Sequence, residues 1–156
     1  MSGAAEATTI EVTEEPAQPD VEALLSGLIA FNEPFLGLRD FRRLGVLARR
    51  PGGDLAGGLI AETGRGFLFV DLLWVDPDAR SAGLGSRLMA AAEAEARRRG
   101  CAMAWLDTYD FQARPFYERH GYRVFGELDG FPNGHRRFYM AKRLASDDDP
   151  SADGPA

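Results

Sequence analysis

Cysteine occurs once in the 156 residues, at Cys101, and histidine only twice, at His120 and His135. One thiol excludes a disulfide framework within the chain, and these few ligands argue against a four-coordinate structural zinc, so no metal is expected. Nor is there any apolar run near the roughly 20 residues that span a bilayer, so no membrane segment is expected. Residues 1–20 hold no Lys or Arg and thus lack the basic start of a secretory signal. The expected location is the cytoplasm.

Positive charge is missing from both ends. Residues 1–20 carry five acids and residues 145–156 four, leaving 15 acids against all 18 bases in residues 21–144. The overall charge of −6 therefore conceals a central portion of +3. That excess is too small to argue for nucleic acid but suits an anionic ligand. A flexible start is expected at residues 1–7. The acidic stretch at 145–156 has no apolar periodicity and is expected to be a disordered tail. The length between them and the 45% hydrophobic content fit one domain, assigned to residues 8–144.

What is present centres on the stretch VDPDARSAGLGSRL, residues 75–88. It follows nine nearly all-apolar residues, Phe67 to Val75, and precedes an Ala/Leu/Glu/Arg-rich helical segment. A P-loop would need Lys then Ser or Thr after the second glycine, and a dinucleotide fingerprint a third glycine where Leu88 stands. The run Arg80-Ser81-Ala82-Gly83-Leu84-Gly85 instead brings glycines to a helix start, where unpaired N–H groups and the positive end of the dipole face outward. That combination reads as an anion site, although glycine used only for turn geometry would look the same.

Hydrophobic spacing supplies the rest of the architecture. Ile10 and Val12 alternate with polar neighbours in a short strand at 8–13. Val21, Leu24, Leu25, Leu28 and Ile29 mark an amphipathic helix behind Asp20 as N-cap, ending near Asn32-Glu33-Pro34. Strands at 44–48, 55–62 and 67–75 form an antiparallel meander; Gly57-Gly58 within the second marks either a bulge or a close approach. A helix over 84–99 ends in Arg97-Arg98-Arg99 before Gly100. The strand at 103–108, reached through that helix, is expected parallel to 67–75 by a right-handed crossover. A short helix at 112–119 and a hairpin of 122–128 with 136–144 complete an α/β fold with a mixed, mostly antiparallel sheet of about seven strands.

The residues Leu72-Leu73-Trp74-Val75-Asp76-Pro77, then Arg80-x-x-Gly83-x-Gly85, then Ala113-x-x-Phe116-Tyr117-x-x-x-Gly121-Tyr122 together resemble the GNAT acyltransferase superfamily. The likeness runs over about residues 8–144 and is sharpest from 67 to 125. It implies acetyl-CoA as acetyl donor, its pyrophosphate on the main-chain N–H groups of Ser81, Ala82, Gly83, Leu84, Gly85 and Ser86, with Arg80 flanking. It also implies that the parallel strands splay at the cofactor site. The pantetheine arm would pair with main-chain groups near Leu73 and Val75, with Trp74 and Phe116 in the same binding set. A main-chain N–H there would polarise the thioester carbonyl.

Transfer to an amine needs a proton acceptor for the amine and a donor for the departing thiolate. The resemblance implies Tyr117 as the donor; a core aromatic is the alternative. Asp71, the one polar residue of strand 67–75, shares the face of Leu73 and Val75 by period two and is the first candidate acceptor, with an ordinary solvent-facing or Arg-paired aspartate as the alternative. Asp107 and Glu33 are weaker candidates that could attract a cationic amine, and the resemblance implies that His135 stands in a loop that shapes the acceptor pocket, an ordinary surface histidine being the alternative. Asp110 stands where the family commonly has Asn contacting pantetheine, and an ionised Asp accepts but cannot donate. His120 reads as a helix C-cap neighbour and Cys101 as a buried thiol.

These readings converge on direct acetylation of a primary amine of a small molecule, a metabolite or an antibiotic-like compound, with a homodimer among the expected states. The alternatives are a protein N-terminal or lysine acetyltransferase and, from another class, a non-catalytic acyl-CoA-sensing domain.

Overall fold

The structure, a computed structural model, describes residues 8–144. The expected flexible start at 1–7 and acidic tail at 145–156 lie outside the described residues. Contacts divide the chain after Arg39 into two compact units.

The first unit is built on helix α1 (Gln18–Leu36). It starts earlier than the Asp20 cap predicts, because Pro19 fits the first turn, where no N–H bond is needed; Ala17 is the N-cap and its carbonyl accepts from Asp20 and Val21. It also continues through Pro34, whose missing N–H removes one bond near the end, and closes when Gly37 N–H donates to Glu33 O at 2.9 Å. Residues 8–13 form no strand. Alternation of Ile10 and Val12 is a necessary signal for a strand but not a sufficient one, since a strand exists only through a ladder partner.

The second unit is a six-stranded sheet, one strand fewer than expected, in the order β1-β2-β3-β4-β6-β5. Its strands are β1 (Arg42–Arg49), β2 (Leu55–Gly64), β3 (Phe67–Val75), β4 (Met103–Tyr109), β5 (Arg123–Leu128) and β6 (Arg137–Arg143). All pairs are antiparallel except β3 with β4, joined through helix α2 (Leu84–Arg98) as the crossover rule requires. Helix α3 (Arg114–Arg119) follows β4. The core lies between α2 and the sheet: Leu84, Leu88, Met89, Ala92 and Ala96 line one face of α2 and meet Leu44, Leu59, Leu68, Val70, Ala104 and Leu106. Alanine at 92 and 96 lets the helix sit close to the strands.

A Cβ at Gly57 would stand 2.9 Å from the Trp74 carbonyl, so this glycine serves close approach of β2 to β3. The far end of α2 is tied down by Arg99, whose guanidinium donates to Glu95, to the Arg43 carbonyl and to Thr63 Oγ1 at 3.1 Å. Below it, buried Glu93 accepts from the Tyr122 hydroxyl at 3.1 Å and from Lys142 Nζ at 2.8 Å, joining α2 to the last hairpin.

Candidate active site

Two irregularities in β3 create the site. Opposite β2, Ile60 pairs with Leu72 and Ala61 with Val70, so Asp71 is the extra residue of a β-bulge. The bulge resets the alternation: Leu68 and Val70 enter the core before it, whereas Leu73 and Val75 pack on the core after it. Opposite β4, the parallel ladder runs only from Phe67–Met103 to Val70–Leu106. Beyond that point the strands part, and the edge of β3 from Asp71 to Val75 has no partner in β4.

The gap so opened is a cleft of about 680 Å³ lined by Leu73, Trp74, Val75, Arg80, Gly83, Gly85, Ser86, Phe116 and Tyr117. Nine of the residues expected to bind cofactor or act in catalysis therefore stand around one cavity. Of the others, Ser81 and Ala82 end a 3-10 turn (Pro77–Ala82), and the Leu84 side chain turns into the core. These three would serve only through their main chain.

Gly83 is the hinge between turn and helix. Its φ of 69° is left-handed, which a residue with a side chain rarely adopts, and it is the N-cap of α2. The first intrahelical bond is Arg87 N–H to Gly83 O, so the N–H groups of Leu84, Gly85 and Ser86 have no helical acceptor. At Gly85 a Cβ would stand 3.3 Å from the Phe116 ring, so any side chain there would crowd the wall of the cleft. Arg80 leans back onto β3, its Nε donating to the Val75 carbonyl at 3.0 Å. These features fit a diphosphate: bare N–H groups, a glycine surface and a guanidinium at the rim. Ser86 Oγ is bonded to His120 Nε2 at 2.9 Å, which ties the start of α2 to the end of α3.

Tyr117 is the buried aromatic of α3, 7% exposed, packed edge-on against Phe116 and Tyr122. Burial, reinforced by the negative charge of Asp107, pushes its phenol up to about 12. Its hydroxyl makes no hydrogen bond with any described residue, although the ring is packed against Phe116 and Tyr122. Tyr117 also borders a smaller cavity of about 210 Å³ that contains Asp71, Asp107, Tyr109 and Gln112.

Asp71 reaches this cavity because the bulge turns it out of the ladder; it is exposed and has no side-chain partner among the described residues. Asp107 differs, since Arg137 Nε donates to it at 2.6 Å. Asp110 lines neither cavity. Its two oxygens accept from His135 Nδ1 at 2.8 Å and from the Arg136 N–H at 3.2 Å, so it anchors the loop before β6. Burial pushes its carboxyl up, but the hydrogen bonds from His135 and from the Arg136 main chain together outweigh it and hold the group below the usual aspartate range. Glu33 lies on α1, in the first unit. Sequence reasoning did not single out Phe111, Gln112 and Arg119, which also line the cleft. Only the aromatic cluster Tyr109-Asp110-Phe111 at the end of β4 could have signalled the first of them.

Among the described residues, no group of three His, Cys, Asp or Glu stands close enough to hold a metal ion, and no helix is long and apolar enough to cross a membrane. The chain resembles blasticidin-S acetyltransferase of Streptomyces morookaense, with 44% identity over 119 residues, covering 69% of this chain and 88% of that protein. An acetyltransferase of Agrobacterium fabrum is 37% identical over 123 residues, covering 79% of this chain and 90% of its own. A crystal structure of an acetyltransferase from Bacillus cereus superposes with a TM-score of 0.78 at 30% identity, covering 86% of this chain and 98% of that one. The model of the acetyltransferase (GNAT) family matches residues 11–122. With the splayed β3–β4 pair, the glycine-bounded helix start and the unpartnered tyrosine in place, the chain belongs to the GNAT family and is an acetyltransferase of that type.

Proposed function

We propose that the protein transfers acetyl from acetyl-CoA directly to a primary amine of a small molecule, of the antibiotic-like class that the blasticidin-S relative's name indicates. The observation that carries this reading is Tyr117, a largely buried ring that lines both the helix-start cleft and the carboxylate cavity and whose hydroxyl makes no hydrogen bond with any described residue. Acetyl-CoA supplies an activated acetyl thioester. The chain's own residues hold and orient. The first-turn N–H groups of α2 and Arg80 take the pyrophosphate, and the free edge of β3 at Leu73 to Val75 takes the pantetheine arm alongside Trp74 and Phe116. Tyr117 donates its proton to the departing CoA sulfur and takes one back from the nitrogen as the amide forms, which regenerates the phenol. Asp71, unpaired and turned out by the bulge, receives the ammonium group of the acceptor and takes its proton.

An amine of pKa about 10 is mostly protonated at neutral pH, so a carboxylate at the entrance both attracts the cation and accepts its proton. The test is calorimetric titration with acetyl-CoA, followed by CoA-thiol release with a panel of small amines that includes blasticidin S. Micromolar binding, loss of that binding in Gly83→Glu, and turnover with a small amine support the reading. Unchanged affinity in Gly83→Glu, or release only with peptides, overturns it.

A further inference from the structure

Phe111 is a large apolar side chain left 61% exposed on the wall of the cleft. It is also unusually well braced. Its ring stacks on Tyr109 with centroids 5.2 Å apart and planes 12° from parallel, and the His135 imidazole meets it nearly edge-on at 4.7 Å. Tyr109 is held in turn by Phe131, edge-on at 5.1 Å, and His135 by the Asp110 carboxylate at 2.8 Å. One face of Phe111 is therefore covered by Tyr109 and its orientation is set by His135, so the exposure belongs to the opposite face and the remaining edges. A rotating surface phenylalanine needs no such support; a fixed flat face does.

The stacked pair bridges the two cavities. Phe111 borders the larger cleft, whereas Tyr109 borders the smaller one beside Asp71. We infer that Phe111 is a stacking platform for a planar ring of the acceptor, and that the acceptor is an amine carrying that ring, its cationic end reaching toward Asp71. The inference rests on the acetyltransferase reading above and narrows it to a substrate class. Tyr109 and His135 act as positioning residues that keep the platform flat, and Asp110 serves by holding His135.

Two probes of equal linker isolate the stacking, 2-phenylethylamine and 2-cyclohexylethylamine. The saturated ring is the more apolar, so simple burial favours it, and only a flat face favours the aromatic one. Each is titrated calorimetrically into the CoA-saturated protein, with acetyl-CoA titrated separately into every variant. The expected result is about tenfold tighter binding of the flat ring, reduced to parity in Phe111→Ala and restored in Phe111→Trp. Equal affinity for the two amines in the unmodified protein, a preference that survives Phe111→Ala, or binding of neither amine overturns the platform. Failure to bind acetyl-CoA sinks instead the acetyltransferase reading on which it rests.

Discussion

Replacement of Tyr117 by Phe separates chemistry from architecture. The hydroxyl makes no hydrogen bond with any described residue, while the ring packs against Phe116 and Tyr122. Its removal therefore costs no native hydrogen bond and creates no cavity in the core, and the variant is expected to unfold in urea within about 0.5 kcal/mol of the parent. Acetyl-CoA affinity should likewise persist. Turnover should not. A hydrogen bond donated to a charged acceptor contributes about 1.5–3 kcal/mol, and at 1.36 kcal/mol per decade of rate its loss from the developing thiolate slows kcat roughly 10- to 150-fold. The low end is favoured because a thiol of pKa about 8.5 is already a fair leaving group.

The pH profile adds a second readout. Burial and then the Asp107 charge hold Tyr117 at about 12, so it keeps its proton throughout the working range. Its ionisation therefore contributes no fall in kcat below about pH 11. The stability linked to this raised value is fully present below the ordinary tyrosine pKa of about 10 and is lost as pH rises through the folded one. That loss should be absent in the Phe variant. Release of CoA thiol under saturating acetyl-CoA measures the first quantity and alkaline unfolding the second. A variant with parental kcat and parental stability refutes the role of the hydroxyl.

Asp71→Asn should leave the urea midpoint unchanged, because the carboxylate is exposed and unpaired, yet raise the acceptor KM and lower kcat about 100-fold; parental kcat would transfer the proton to a water chain. Glu93→Ala strips partners from both Tyr122 and Lys142 and should destabilise by about 2–3 kcal/mol, read as a lowered urea midpoint with unchanged slope; a loss below about 0.5 kcal/mol would show that water replaces the carboxylate. Arg98 and Arg99 hold Glu95 down to about 2. The stability it lends the end of α2 is complete above the ordinary glutamate range and fades as pH falls through that lower value. Glu95→Gln should therefore flatten the acid unfolding curve between about pH 4.5 and pH 2, and superposable curves would refute the clamp.

Much of the framework around the candidate site was legible in the sequence. Gly83 and Gly85 mark the helix start because each answers a local requirement, a left-handed φ at one and an absent side chain beside Phe116 at the other. The crossover from β3 through α2 to β4 follows because parallel neighbours cannot be joined by a tight turn. The missing seventh strand failed for the reason that makes strands hard to read: Ile10 and Val12 have the right local pattern, and pairing is a long-range property. The bulge at Asp71 was hidden for a related reason. Its evidence is a slip in register against β2, so period two placed Asp71 with Leu73 and Val75 without revealing that the count restarts there. Asp110 was read for its place in a motif, whereas its partners His135 and Arg136 lie 25 and 26 residues away.

That one surplus residue in β3 also limits how the enzyme can change. Upstream of it the even-numbered side chains are packed among the core, and downstream the odd-numbered ones are. A deletion or insertion between Val70 and Leu73 would exchange hydrated and packed positions along the whole cleft-bearing half of the strand, unseating Leu73 and Val75 together. Replacement at Asp71, Leu72 or Trp74, all exposed, disturbs neither set. Change along this segment is therefore confined to which side chains stand there, while its length stays constant.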